Sequence, residues 1–397
     1  MKILIGISNP FDKGSGIAAA AKALSEGLLA HGDEVVIASP EFADPAWLTR
    51  HEVSHVRTDP NEPQADAARR VLRVLTELRI EGVINNDNSV VQSLAPLCGV
   101  PFVSIMHLPR HAIGALAAYN SAYLDYVVAI SPDMQRAAIE SYGLAVHKVP
   151  LVYNGVPDCA GPLAARANDG PLNVIFAGGG NHRKGADLML KLVRRCDFSA
   201  QELLLHWFDV LPEGLRRQLE NIPFVRLHGR VPANEFLDHL GSADVLLMPS
   251  RLEGCPMALL EAMCRGVVPI VSDGMGAMRW IVHSGHNGFV CSLRRWPAEV
   301  QACLRHVLQQ RRALAKMSLH SRRTYVEGFT NLRMAAMLKG LLQQPTVQRE
   351  ARLREAPVLK WTRPAPPPGF RVGLWERFCY RTGLLRAASV VAVTEPN

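Results

Sequence analysis

Short, unbroken apolar runs recur along this chain, each separated from the next by a turn and a helix-length segment: Ile3–Ile7, Glu34–Ala38, Gly82–Asn85, Phe102–Met106 and Tyr126–Ile130. A strand that is apolar on both faces has to be covered on both faces, and a parallel neighbour is reached only through a crossover long enough to hold a helix. The pattern therefore calls for α/β architecture, a parallel sheet with helices on both sides.

Near Val152–Pro157 the pattern stops, and Gly161 to Pro171 is rich in Gly, Pro, Ala, Asn and Asp, as a linker would be. A second series then begins with Asn173–Ala177, Leu203–Phe208, Val225–Leu227, Val245–Met248 and Pro269–Ser272. At 397 residues the chain is too long for one core, and two tandem doubly wound domains account for most of it. The expected division is 1–155, 156–343 and a tail, 344–397. The tail holds Pro364, Pro366, Pro367 and Pro368 and nine Lys/Arg against four Asp/Glu, so most of the chain's +8 lies there.

Several classes are disfavoured at this stage. The eight cysteines stand singly, without C-x-x-C or a zinc-ligand spacing, which fits a reducing cytosol. The first apolar run ends at Ser8-Asn9-Pro10, too early for a signal peptide. The best membrane-span candidate, Ala112–Ile130, is interrupted by Asn120, Ser121 and Asp125. A cytoplasmic location is the expectation.

In an open parallel sheet ligands bind outside the carboxyl ends of the strands, so the following loops hold the candidate chemistry. Gly14-Ser15-Gly16 opens a helix, whose free N–H groups favour a phosphate; an ordinary loop and cap is the alternative. Gly178-Gly179-Gly180 leads to Arg183 and Lys184, a planar fork and a point charge suited to a diphosphate, or else two solvated cations. It is not a Walker A loop, since Lys184 is followed by Gly185. Pro249–Met263 runs from strand end through a loop carrying Glu253 into a helix carrying Glu261, two carboxylates able to accept hydrogen bonds from sugar hydroxyls. His107 follows a strand directly, a place where histidine is either structural or functional, and Asn85-Asn86-Asp87-Asn88 ends another.

Pro249–Met263 resembles the E-x7-E segment of the retaining GT-B glycosyltransferases of nucleotide-sugar-dependent family four, also called glycosyl transferases group 1. Leu227–Val231, Ser242–Val245, Asn287–Val290 and Asn154-Gly155-Val156 are similar to that family's other blocks, in order, over about residues 1–343. The resemblance implies a GT-B fold, two Rossmann-like domains facing an interdomain cleft. It implies metal-independent hexosyl transfer from a nucleotide-sugar, in which His107, Glu253 and Lys184 are catalytic. Gly14, Gly16, Arg183, Arg230, Glu261 and the backbone of Met257 and Ala258 would bind the donor, and Asn86 and Asp87 would face the acceptor. No cofactor is implied, and no D-x-D triplet occurs. The chain departs from the family at Gly179-Gly180, where an Arg is usual and Arg183 is the candidate substitute. A second departure is Gly274–Ile281, where Arg279 and Trp280 stand in place of an acid.

The expected acceptor is a lipid-linked or oligosaccharide one, in polysaccharide or glycolipid assembly. In the tail Arg377 and Arg381 share one helical face and Leu374, Phe378 and Leu385 lie toward another, a pattern suited to an anionic membrane surface and thus to peripheral attachment. No nucleic-acid-binding motif is present. Two other functions remain in view. One is a catalytically silent sugar-nucleotide-binding protein. The other is a dinucleotide-dependent oxidoreductase, for which the glycine fingerprint is incomplete, with Ala19 in its last place and Glu34 at the start of the second strand.

Overall fold

The computed structural model describes residues 1–9, 11, 15–41, 45–58, 62–109, 111–159, 170–347, 359–362 and 390–393. The chain divides into two units, Met1–Pro157 with Asn331–Asn397, and Asp158–Thr330. The first contains β1 (Lys2–Gly6), β2 (Glu34–Ser39), β3 (Ser54–Arg57), β4 (Gly82–Asn85), β5 (Phe102–Met106) and β6 (Tyr126–Ala129), in the order β3-β2-β1-β4-β5-β6. The second contains β7 (Leu172–Ala177), β8 (Leu203–Phe208), β9 (Val225–Gly229), β10 (Val245–Met248), β11 (Val268–Ser272) and β12 (Phe289–Cys291), in the order β12-β11-β10-β7-β8-β9. All these pairings are parallel. The two orders are the same path read from opposite edges, and the expected α/β doubly wound class holds in both units.

The apolar runs form the buried strands for the reason given above: Ile3, Leu4, Ile5, Val83 and Ile84 in one sheet, and Val174, Val245, Val268 and Ile270 in the other, are fully covered. The edge strand β3 has one buried residue in its four, Val56. Its polar SHVR sequence therefore carries no strand signal of the kind that marks the others. In each sheet the chain reverses direction beside its first strand, so the loops after β1 and β4, and those after β7 and β10, diverge and open a crevice at the carboxyl edge.

The helix Asn331–Leu342, expected to close the second domain, belongs to the first unit. It packs against the Gly16–Ala30 helix so closely that a Cβ on Gly27 would strike the Asn331 carbonyl oxygen. Asn331 Nδ2 donates to Ala23 O (3.2 Å). Lys339 Nζ and the N-terminal ammonium each lie 2.7 Å from Asp33 Oδ1. The physical reason is burial: Met334, Ala335, Leu338 and Leu342 form an apolar face that this unit covers. Beyond it, Tyr126 Oη donates to Gln344 O (2.8 Å), and Asp125 accepts from the N–H groups of Thr346 and Val347.

Of the tail, the backbone of Leu359–Thr362 pairs antiparallel with Val390–Val393, while the proposed basic helical face at Arg377 and Arg381 lies outside the described residues. No helix among the described residues is long and apolar enough to cross a membrane.

Candidate functional site

In the second unit the glycine turn after β7 is pinned from below. Trp207, fully buried on β8, donates its indole N–H to Gly179 O (3.0 Å), and Gly180 N–H bonds to Val210 O (3.0 Å). At the far end Gly185 has φ +83°, and a Cβ there would run into Pro249 O. Only glycine lets the turn lie directly against the loop that follows β10. Arg251 fastens the two loops. Its guanidinium forks onto Asp187, with Nη1–Oδ1 at 2.9 Å and Nη2–Oδ2 at 2.8 Å, and its backbone N–H donates to Arg183 O (2.8 Å). Burial pushes the Asp187 carboxyl upward, but Arg251 outweighs it and holds the group below its ordinary value.

This fastening brings Arg183 and Lys184 onto Glu253. Arg183 Nη1 donates to Leu252 O (2.8 Å) and lies 3.3 Å from Glu253 Oε2, while Lys184 Nζ lies 2.7 Å from Oε1. The Lys184 contact is a charge pairing; Oε1 makes no aligned hydrogen bond and is buried. Glu253 is 6% exposed. Its loop is held from the other side by Glu253 N–H to Met275 O (2.9 Å) and by Gly276, φ +123°, where a Cβ would strike Glu253 O. One carboxylate with two cations leaves a net positive charge beside the start of the Met257–Cys264 helix. Pro256 is the cap of that helix, and the N–H groups of Met257 and Ala258 have no helical partner, since the first turn returns from Leu259 to Pro256 O. Glu261 lies further along the helix, half-buried; burial raises its carboxyl and Arg265 opposes that. Arg230, after β9, is exposed and pairs with Asp209 (3.2 Å) on the loop after β8.

In the first unit Asp87 is the one charged side chain among the described residues of the loops after β1, β4 and β5. Gly16 starts the Gly16–Ala30 helix; Gly14 lies outside the described residues. Ser8, after β1, donates to Asp87 twice, from N (2.8 Å) and Oγ (2.6 Å). Burial raises the Asp87 carboxyl against those two bonds. Asn85 and Asn88 are structural: Asn85 Nδ2 donates to Gln92 Oε1 (2.7 Å), and Asn88 accepts from Val91 N–H as a helix cap while donating to Ile7 O. Asn86 instead reaches His107, whose Nε2 lies 3.1 Å from Asn86 Oδ1. Both are 3% exposed, and burial alone drives the His107 imidazole down to about 4, so it is neutral. Glu34, the acid that a dinucleotide site would need, sits at the far end of β2 and pairs with Lys2 (2.7 Å).

Ser8, Arg251 and Asp187 carry no sequence signal, since nothing local marks a residue whose partner is tens of positions away. The same holds for a thiol pair: Cys159 and Cys264 lie with Sγ atoms 3.0 Å apart, and Arg322 contacts Cys264 Sγ (3.2 Å) and Asp158 (2.7 Å).

Residues 14–158 match the family described as Glycosyltransferase Family 4, and residues 164–323 match Glycosyl transferases group 1. Among curated proteins, the glycogen synthase of Mycobacterium tuberculosis is 26% identical over 247 residues, covering 56% of this chain and 59% of the relative. The matched chain thus spans less than two thirds of that relative's length. Among solved structures, a glycosyltransferase from Rickettsia africae superposes with a TM-score of 0.71 at 13% identity, covering 86% of this chain and 98% of that one. Anabaena HepE, solved in complex with UDP-glucose, gives 0.69 at 16% identity, covering 87% and 100%. At these identities the structural likeness is one of fold, GT-B.

Proposed function

Since the chain belongs to the glycosyltransferases of group 1 type, we propose that it moves a hexose from a nucleoside-diphosphate donor to a hydroxyl acceptor with retention of configuration. The observation that carries this reading is Glu253 with Arg183 and Lys184 upon it, beside the free N–H groups of Met257 and Ala258. When the sugar–phosphate bond ionises, negative charge develops on the departing diphosphate, and fixed cations and helix dipoles stabilise it with little reorganisation. Arg183 and Lys184 serve that oxygen-rich group. Glu253, released from them, accepts hydrogen bonds from the donor sugar, and Glu261 takes the ribose hydroxyls. His107 contacts the transferred sugar, and Gly16 with Gly14 approaches the diphosphate. Arg230 is assigned to the donor. The departing phosphate oxygen takes the acceptor's proton, so the scheme assigns no step to a metal ion.

On the acceptor side the reading places Asp87, with a lipid-linked or oligosaccharide hydroxyl compound as substrate in cell-surface polysaccharide or glycolipid assembly. The basic tail would hold the enzyme at an anionic inner-membrane surface. Donor hydrolysis measured over a panel of UDP- and GDP-sugars tests the central claim. Turnover of one donor, lost in Glu253→Gln, is expected; no turnover of any donor with any acceptor tested would leave a sugar-nucleotide-binding protein. Removal of residues 344–397 should abolish co-sedimentation with anionic liposomes, and unchanged co-sedimentation refutes the membrane role.

A further inference from the structure

We infer that Asn86 is a positioning residue for His107: it holds the ring as the Nε2–H tautomer, so that His107 offers Nδ1 to the substrate as a hydrogen-bond acceptor. The inference rests on the reading of His107 as the group that contacts the transferred sugar.

Asn86 and His107 come from loops after neighbouring strands, β4 and β5, and meet in a buried contact of 3.1 Å between Asn86 Oδ1 and His107 Nε2. An amide oxygen only accepts, so Nε2 must carry the proton. In a neutral imidazole the other nitrogen is then a pure acceptor. No described residue donates to Nδ1. Burial keeps the ring neutral, and among the described residues no charged side chain supports an imidazolium that would turn Nδ1 into a donor. Asp87, next to Asn86 in sequence, is turned to Ser8. Asn86 Nδ2 is buried with no partner. A buried orphan donor is costly, and native structures keep one where a function offsets it. Here the amide oxygen faces the histidine, and the orphan nitrogen is the cost of that orientation. Asn86 was expected in sequence to face the acceptor; this geometry gives its side chain a different task.

Asn86→Asp tests the inference. It keeps an oxygen opposite Nε2 but adds a negative charge, which raises the imidazole pKa by about 1–3 units. Protonation puts a hydrogen on Nδ1, and the acceptor is lost. Relative to its own rate at about pH 8.5, donor turnover by the variant should therefore fall with a midpoint between about pH 5 and 7. The wild-type rate should show no such step above about pH 5. Asn86→Leu, which leaves Nε2 without a partner, should lower kcat at every pH by about tenfold with KM for the donor little changed. A substrate-free readout accompanies these: ¹⁵N-histidine spectra of the full chain, with His107 identified by the signal lost in His107→Gln. They should show the Nε2–H form near neutral pH in the wild type and a raised titration in Asn86→Asp. An Nδ1–H form, or an Asn86→Asp pH profile parallel to wild type, overturns the inference. Full activity in His107→Gln would instead overturn the reading beneath it.

Discussion

The two units share one strand order and place their candidate residues at the carboxyl ends of their strands, yet what those strand ends carry differs in kind. After β7 and β10 three formal charges converge, Arg183, Lys184 and Glu253. After β4 and β5 the contact is between an amide and a neutral imidazole, Asn86 and His107. Each unit therefore presents its own electrostatic environment at the carboxyl ends of its strands. A departing diphosphate needs fixed positive charge, whose value grows where water is excluded. A neutral imidazole held by an amide offers a sugar hydroxyl a partner of fixed direction with no charge to desolvate.

If that contrast is right, removing charge from the second unit is the most damaging change. Lys184→Met should cost about 10²–10³ in kcat while leaving the thermal midpoint within a degree or two; a smaller loss than that of Asn86→Leu breaks the comparison. Next in size come the loop contacts that make the charged site. Gly185→Ala and Gly276→Ala each put a Cβ at positive φ and against a carbonyl oxygen, which should cost about 2 kcal/mol or more in urea denaturation of the chain. An unchanged midpoint would show that the loops are not fastened as described.

The first unit has its own buried charge, Asp33, just before the start of β2. Burial raises the Asp33 carboxyl, but Lys339 and the N-terminal ammonium outweigh it and hold it below the ordinary value. A depressed carboxyl contributes stability above its unfolded value that is lost as pH falls through its folded one. Asp33→Asn should lower the melting temperature by about 3–6 °C near neutrality, with the difference shrinking as pH falls below the ordinary carboxyl value. The smallest effect belongs to the histidines on β8 and β9 and on the helix Ala233–Ser242. Burial, with His228 and His239 adding to it, lowers His206 to about 4. The unfolded chain then binds the proton first, so the second unit should lose stability as pH falls from about 6.5 toward 4, and His206→Asn should flatten that slope. A slope unaffected by the substitution would assign the acid sensitivity elsewhere.

Much of this was readable along the chain. Strands buried on both faces show as unbroken apolar runs because every side chain in them meets the core, and a spacing of eight residues places Glu253 before a helix that carries Glu261. The edge strand β3 was not readable, because an edge strand can be polar on most of its residues. Nor was the allegiance of Asn331–Leu342, since an amphipathic face declares that it is covered but not by what.

The sequence by itself determined the α/β class, the two-fold recurrence of the domain and the residue types gathered at each strand end, all of which follow from periodicity within a few residues. Only the tertiary structure decided partnerships: Arg251 with Asp187, Lys339 with Asp33, Lys184 with Glu253, Asn86 with His107. These depend on which loops the strand order brings together, and a hydrogen bond or ion pair acts over about 3 Å regardless of how much chain lies between its ends.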